Sequence, residues 1–211
     1  MSVAWIVQHH PSRADLLPQL LPHLPDAQIV TDPGGELSSA WRTYRLCLRA
    51  ETDASHLAVI QDDVVVPEHF AEAATAAVAA KPGAVVVLCL CGQPARTALE
   101  ATLALKRREC WARLQPGDWL PTIATVYPTG VARRLADWVD ERKPAARGDD
   151  SVAGEFMKAH RRELEAWVTV PSLAHHPDTE PSLIGRRHMG GRNPGRVTKY
   201  MVEGDPRRIK W

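Results

Sequence analysis

Long apolar runs are missing from this chain. No window approaches the roughly 18 apolar residues of a membrane-spanning helix. The opening run, Val3 to Val7, is too short for a secretory leader and has no basic flank. Cysteine is scarce as well. The four thiols (Cys47, Cys89, Cys91 and Cys110) lack the paired spacing of a zinc site. Cys89 and Cys91 lie in the run Val85 to Cys91, where strand alternation puts both on one face as buried free thiols. These features point to the cytoplasm. Aromatics make up 6% of the chain, and neither a recognition helix nor an RNA-binding sheet motif is present, which argues against a dedicated nucleic-acid-binding fold. The formal net charge is +1, so the chain is no polyelectrolyte. It has no internal repeat. After its first apolar run it also lacks the glycine-rich, Lys/Arg-bearing phosphate loop of a nucleotidyltransferase.

What is present is an ordinary globular composition. The 211 residues are 45% hydrophobic and 24% charged, enough for one domain with a full core. Charge is unevenly spread. Eight of the 26 basic residues follow Gly185 (Arg186, Arg187, Arg192, Arg196, Lys199, Arg207, Arg208 and Lys210), against only Glu203 and Asp205. The expected organisation is therefore a body over residues 1–185 and an irregular, mobile basic tail over 186–211, with an anionic partner for the tail.

Hydrophobic periodicity gives alternating strands and helices. Val3 to Val7 is a strand, and Ser12 opens a helix that Pro18 and Pro22 break into turns. Strands follow at Ala27 to Thr31, at His56 to Ile60 and at Val85 to Leu90, separated by helices over 37–50 and 67–80. This order predicts an α/β fold: a mostly parallel sheet with helices on both faces. The second half is less regular. It offers helices over 94–108, around Val131 to Val139 and around Val152 to Met157, with short strands at Trp111 to Leu114, Thr122 to Val126 and Trp167 to Val170.

The most informative stretch is His56-Leu57-Ala58-Val59-Ile60-Gln61-Asp62-Asp63-Val64. An apolar run there ends in two adjacent carboxylates. Like charges at a strand end stay ionised only beside water or a cation. At the carboxyl edge of an open α/β sheet, that cation is commonly a divalent metal holding phosphates. The plain alternative is a turn with two solvated acids.

Three motifs in order resemble small GT-A type glycosyltransferases, close to those of phage and bacterial genomes related to lipopolysaccharide glycosyltransferases. They are "HLAVIQDDV" after the helix "SSAWRTYRLCLRA", then "IATVYPTGVARRLADWV", then "GDDSVAGEFMKAH" with "WVTVPSLAHH" and "PSLIG". The resemblance spans roughly Val3 to Gly185. It implies a single-domain, Rossmann-like glycosyltransferase that moves a sugar from a nucleoside diphosphate donor, with Mn²⁺ or Mg²⁺ bridging the phosphates. Asp63 is then the metal ligand and Asp62 serves the ribose or a metal-bound water, while Gln61 replaces the first carboxylate of a strict DxD. His175 or His176 closes the metal site, or alternatively makes a loop-end hydrogen bond.

The exit loop with His9 and Arg13 would receive the nucleotide. Asp32 would accept from the base or ribose, or else form an Asx turn. Arg42 reaches the diphosphate or remains a solvated surface group. Asp149 and Asp150 are the candidate acceptor base, with Asp150 preferred because Gly148 precedes it; helix capping is the alternative for both. Trp119, in a Pro-Gly-Asp loop, is the candidate platform for an acceptor sugar. The acceptor itself stays open between a glycan, a protein and a modified DNA base, as does the oligomeric state. The competing reading is a nucleic-acid-associated protein that uses the basic tail.

Overall fold

The structure is a computed structural model that describes residues 1–34, 40–91, 95–115, 118, 120–142, 148–177, 198 and 200–211. Seven strands form one sheet: β1 (Val3–His9), β2 (Gln28–Thr31), β3 (His56–Gln61), β4 (Val85–Val87), β5 (Trp111–Arg113), β6 (Ala124–Pro128) and β7 (Ala166–Thr169). Their order is β2-β1-β3-β6-β4-β7-β5. β1 pairs in parallel with β2 and β3, and β4 with β7, whereas β6 runs antiparallel between β3 and β4, and β5 antiparallel to β7. Five strands thus point one way and two the other, so the sheet is mostly parallel.

Period-two alternation sorts each buried strand between two cores. Ile6, Leu57, Val59, Val85 and Val87 face one side. Trp5, Val7, Ala58, Ile60 and Val86 face the other. The first face is covered by α2 (Ala40–Leu48), α4 (Ala95–Arg107), α5 (Thr129–Arg142) and α6 (Asp149–Ala159). The second is covered by the short α1 (Leu17–Leu20) and by α3 (Phe70–Ala80), whose alanines let it lie close to the sheet. The prolines act as expected: 3-10 turns at Pro11–Leu16 and Leu21–His23 flank the single turn of α1. His10, not Ser12, caps the first of these turns, its ring nitrogen accepting from the Ser12 N–H.

The strand expected to reach Leu90 stops at Val87. Beyond it, Leu88 still donates to the Ala124 carbonyl, and its own carbonyl accepts from both Leu173 and Ala174. Cys89 and Cys91 are buried free thiols in the same core, as expected. Under the first face, Tyr44 and Tyr127 are both fully buried and share a 2.8 Å hydroxyl–hydroxyl hydrogen bond. Burial pushes the pKa of both phenols up. Tyr44→Phe should cost about 1–3 kcal/mol, because it leaves the Tyr127 hydroxyl without that partner in the core. Chemical denaturation would show the midpoint falling with an unchanged slope.

The described end of the chain is irregular, as expected, but it is docked rather than loose. Met201 bridges to Ser172, and the Tyr200 hydroxyl lies 2.6 Å from Thr102 Oγ1. Trp211 packs on Trp111 at 5.3 Å between ring centroids. Asp205 caps a 3-10 turn at Pro206–Arg208 and pairs with Arg207, which also reaches Glu72 on α3. Part of the tail's positive charge is therefore neutralised within the chain. The tail arginines at 186, 187, 192 and 196, with Lys199, lie outside the described residues. None of the described helices is long and apolar enough to cross a membrane.

Candidate active site

Strand order β2-β1-β3 creates a topological switch point, the place where open α/β sheets usually bind their ligands. The chain leaves β1 toward β2, then returns across β1 to form β3, so connections diverge at the carboxyl ends of β1 and β3. The expected polar groups gather there because each follows an apolar strand. His9 is the last residue of β1, Asp62 and Asp63 follow Gln61 at the end of β3, and Asp32 follows β2. The Asp62 N–H donates to the Gln8 carbonyl at 3.1 Å, which pins the acidic turn against the first strand.

Asp62 is 3% exposed and its carboxylate is heavily used. Oδ2 lies 2.9 Å from His9 Nδ1 and accepts from the His10 N–H at 2.7 Å, while Oδ1 accepts from Arg13 Nη1 at 3.1 Å. The same Nη1 is 2.7 Å from Asp63 Oδ2. That oxygen also lies 3.2 Å from His176 Nε2. The loop is shaped to deliver the guanidinium: the Arg13 N–H bonds to the His10 carbonyl at 2.9 Å, and the side chain is buried. Of the two late histidines, His176 reaches Asp63 and is held by Thr198, whose Oγ1 accepts from its backbone N–H. His175 instead makes a backbone bridge with Val65, and burial together with His176 lowers its pKa.

A second polar chain runs beside the first. Gln61 Nε2 donates to Asp149 Oδ2 at 3.1 Å and lies 3.4 Å from Gln8 Oε1; Gln8 Nε2 donates to the Ala40 carbonyl. This explains the amide at position 61: a carboxylate there would face another carboxylate in a buried place. Asp149 opens α6 and is 3% exposed. Burial pushes its pKa up to about 6, the neighbouring Asp150 adds to the rise, and hydrogen bonds from the Asp150 backbone and the Thr122 side chain oppose it. Asp150 turns back on its own helix, its Oδ1 accepting from the Ser151 N–H and hydroxyl. A Cβ on Gly148 would stand 2.7 Å from that oxygen, so glycine is what lets this carboxylate fold over the helix start. Asp149, rather than the preferred Asp150, is the one joined to the strand-end network.

Asp32 makes the Asx contact, with Oδ1 accepting from the Gly34 N–H and Oδ2 from Thr43 Oγ1. Arg42 is half-buried on α2. The nearby Arg45 and Arg49 pair with Asp140 and Asp137 of α5, well tied to the helical layer. Trp119 lies outside the described residues. The sequence reading missed Gln8, Thr43 and Thr122. Gln8 was the findable one, since parallel register sets it beside Gln61.

The residues present do not fit a divalent cation in this arrangement. One arginine nitrogen already bridges the two carboxylates, and the second oxygen of Asp62 is taken by His9 and the His10 N–H. Among the described residues, no three His, Cys, Asp or Glu side chains form a metal-ligand cluster.

Sheet order and helical layers together define a mixed α/β, GT-A-like Rossmann-type domain. Neither a protein-family model nor a curated protein sequence matches the chain. Among solved structures it resembles S. aureus TarS at 12% identity and a TM-score of 0.51, over 80% of this chain and 36% of that one. A structure of S. aureus TarS 1–349 in complex with UDP-GlcNAc aligns at 12% identity and a TM-score of 0.49, over 86% of this chain and 62% of that one. A197 from STIV aligns at 17% identity and a TM-score of 0.42, over 100% of this chain and 99% of that one. The chain thus spans less than two thirds of each of these TarS chains, and only the first likeness is close enough to define the fold.

Proposed function

We propose that this protein is a glycosyltransferase taking its sugar from a nucleoside diphosphate donor. The observation that carries this reading is the convergence of His9, Arg13, Asp62, Asp63, His176, Gln61 and Asp149 at the carboxyl edge of a GT-A-like sheet. The diphosphate lies against the exit loop of β1, beside the buried Arg13. Asp149 accepts the proton of the acceptor hydroxyl as its oxygen attacks the anomeric carbon and the nucleoside diphosphate leaves. A carboxyl raised to about 6 is suited to that task near neutral pH. UDP-GlcNAc, the ligand of the TarS 1–349 complex, is the first donor to try.

Calorimetric titration of UDP, GDP and UDP-GlcNAc into the purified protein tests the reading. Micromolar binding of one of them, with release of nucleoside diphosphate when candidate acceptors are added, is the expected result. Absence of binding, both with Mn²⁺ and with EDTA, would sink it.

A further inference from the structure

We propose that Arg13 is the resident cation of the Asp62–Asp63 pair, occupying the seat that a divalent metal would take, and that removing its charge opens a metal site there. The bridge is made by side chains of this chain alone. Its consequence for the donor, binding without metal, rests on the glycosyltransferase reading above.

Position comes first. A metal bridging two adjacent carboxylates takes one oxygen from each, at about 2.0–2.6 Å for Mg²⁺ or Ca²⁺. Arg13 Nη1 takes one oxygen from each, at 3.1 Å from Asp62 and 2.7 Å from Asp63, both within the ordinary N–H···O hydrogen-bond range. The surrounding donors point the same way. Asp62 Oδ2 is the acceptor for the His10 N–H and faces His9 Nδ1. His176 Nε2 faces Asp63 Oδ2, an arrangement in which the ring nitrogen carries a proton and directs no lone pair toward a metal.

Charge balance agrees. Two carboxylates buried side by side need a positive partner, and a guanidinium stays protonated at any working pH. The amide at Gln61 avoids a third negative charge, so that with Arg13 in place the site is one charge short of neutral rather than two. Burial of Arg13 in a proline-started 3-10 turn keeps that charge in place, whereas an exchangeable ion would come and go with its concentration.

The test uses the full-length protein, stripped with EDTA and dialysed, with Mn²⁺ alone as the probe. Electron paramagnetic resonance reports free Mn²⁺, and thermal unfolding reports stabilisation. Wild type should leave Mn²⁺ free and its Tm unmoved into the millimolar range. Arg13→Gln should take up one Mn²⁺ per chain, at least about tenfold tighter than wild type, and Arg13→Gln combined with Asp63→Asn should lose it. Stoichiometric uptake by wild type that Asp63→Asn abolishes would overturn the proposal, and so would a folded Arg13→Gln variant that takes up none. If Arg13→Gln does not fold, the wild-type protein still decides: equal UDP affinity in EDTA and in Mn²⁺ supports the proposal, and a Mn²⁺ requirement overturns it. Failure of UDP to bind in either condition counts against the glycosyltransferase reading, and the wild-type Mn²⁺ titration then decides the role of Arg13.

Discussion

Asp62→Ala should unfold with a stability loss of about 3–5 kcal/mol, the cost of breaking a buried ion pair by deleting one partner. For a chain of this length that corresponds to a fall in Tm on the order of 10 °C. Three groups converge on this carboxylate, namely the His9 ring, the His10 N–H and the Arg13 guanidinium, and the variant leaves all of them facing a cavity at 3% exposure. Asp62→Asn separates charge from shape: it keeps one acceptor oxygen for the His10 N–H but removes the negative charge that faces the guanidinium. Its loss should therefore fall between wild type and alanine. Differential scanning calorimetry of the three proteins at neutral pH makes the comparison. An alanine variant as stable as wild type would mean that the exit loop of β1 does not depend on this turn.

The strand–helix alternation behind this site was legible because apolar strands buried on both faces read as short unbroken runs. β3 and its acidic end are the clearest case: the run Leu57 to Ile60 is buried, and the charge begins where the sheet ends. The place of β6 was not legible. It inserts antiparallel between β3 and β4, a pairing fixed by tertiary packing, and the run Ala124 to Val126 carries no mark of its partners. The site divides the same way. That Asp62 and Asp63 stand at a strand end could be read from residue type and chain order, and the family resemblance brought a late histidine to them. That Arg13 bridges the two acids could not, since its partners stand 49 and 50 positions away, across a parallel strand pair. The choice between Asp149 and Asp150 turned on which carboxylate points at the sheet. Gln61, whose own presence looked like a defect in the motif, is the residue that joins Asp149 to the end of β3.

Asp149→Asn should leave the fold intact and slow sugar transfer by about 10²–10⁴, the usual worth of a positioned general base. The amide keeps an oxygen to accept from Gln61 Nε2, so the polar chain through Gln8 survives and donor binding should be unchanged. Stability against pH gives an independent readout. The Asp149 carboxyl is raised from 3.8 to about 6, so between those values the folded state holds a proton that the unfolded chain has released. Stability from this group is full below the unfolded value and is lost as pH rises through the folded one, by on the order of 3 kcal/mol. Above pH 6 wild type therefore carries a buried charge that Asp149→Asn does not. The variant should gain on wild type as pH rises from 4 to 7, while wild-type transfer rises through pH 6 and the residual transfer of the variant does not. Parallel stability curves would show that the burial of Asp149 costs nothing on ionisation. A variant that transfers sugar at the wild-type rate would pass the role of base to Asp150, whose carboxylate lies one residue on and half-exposed at the same helix start.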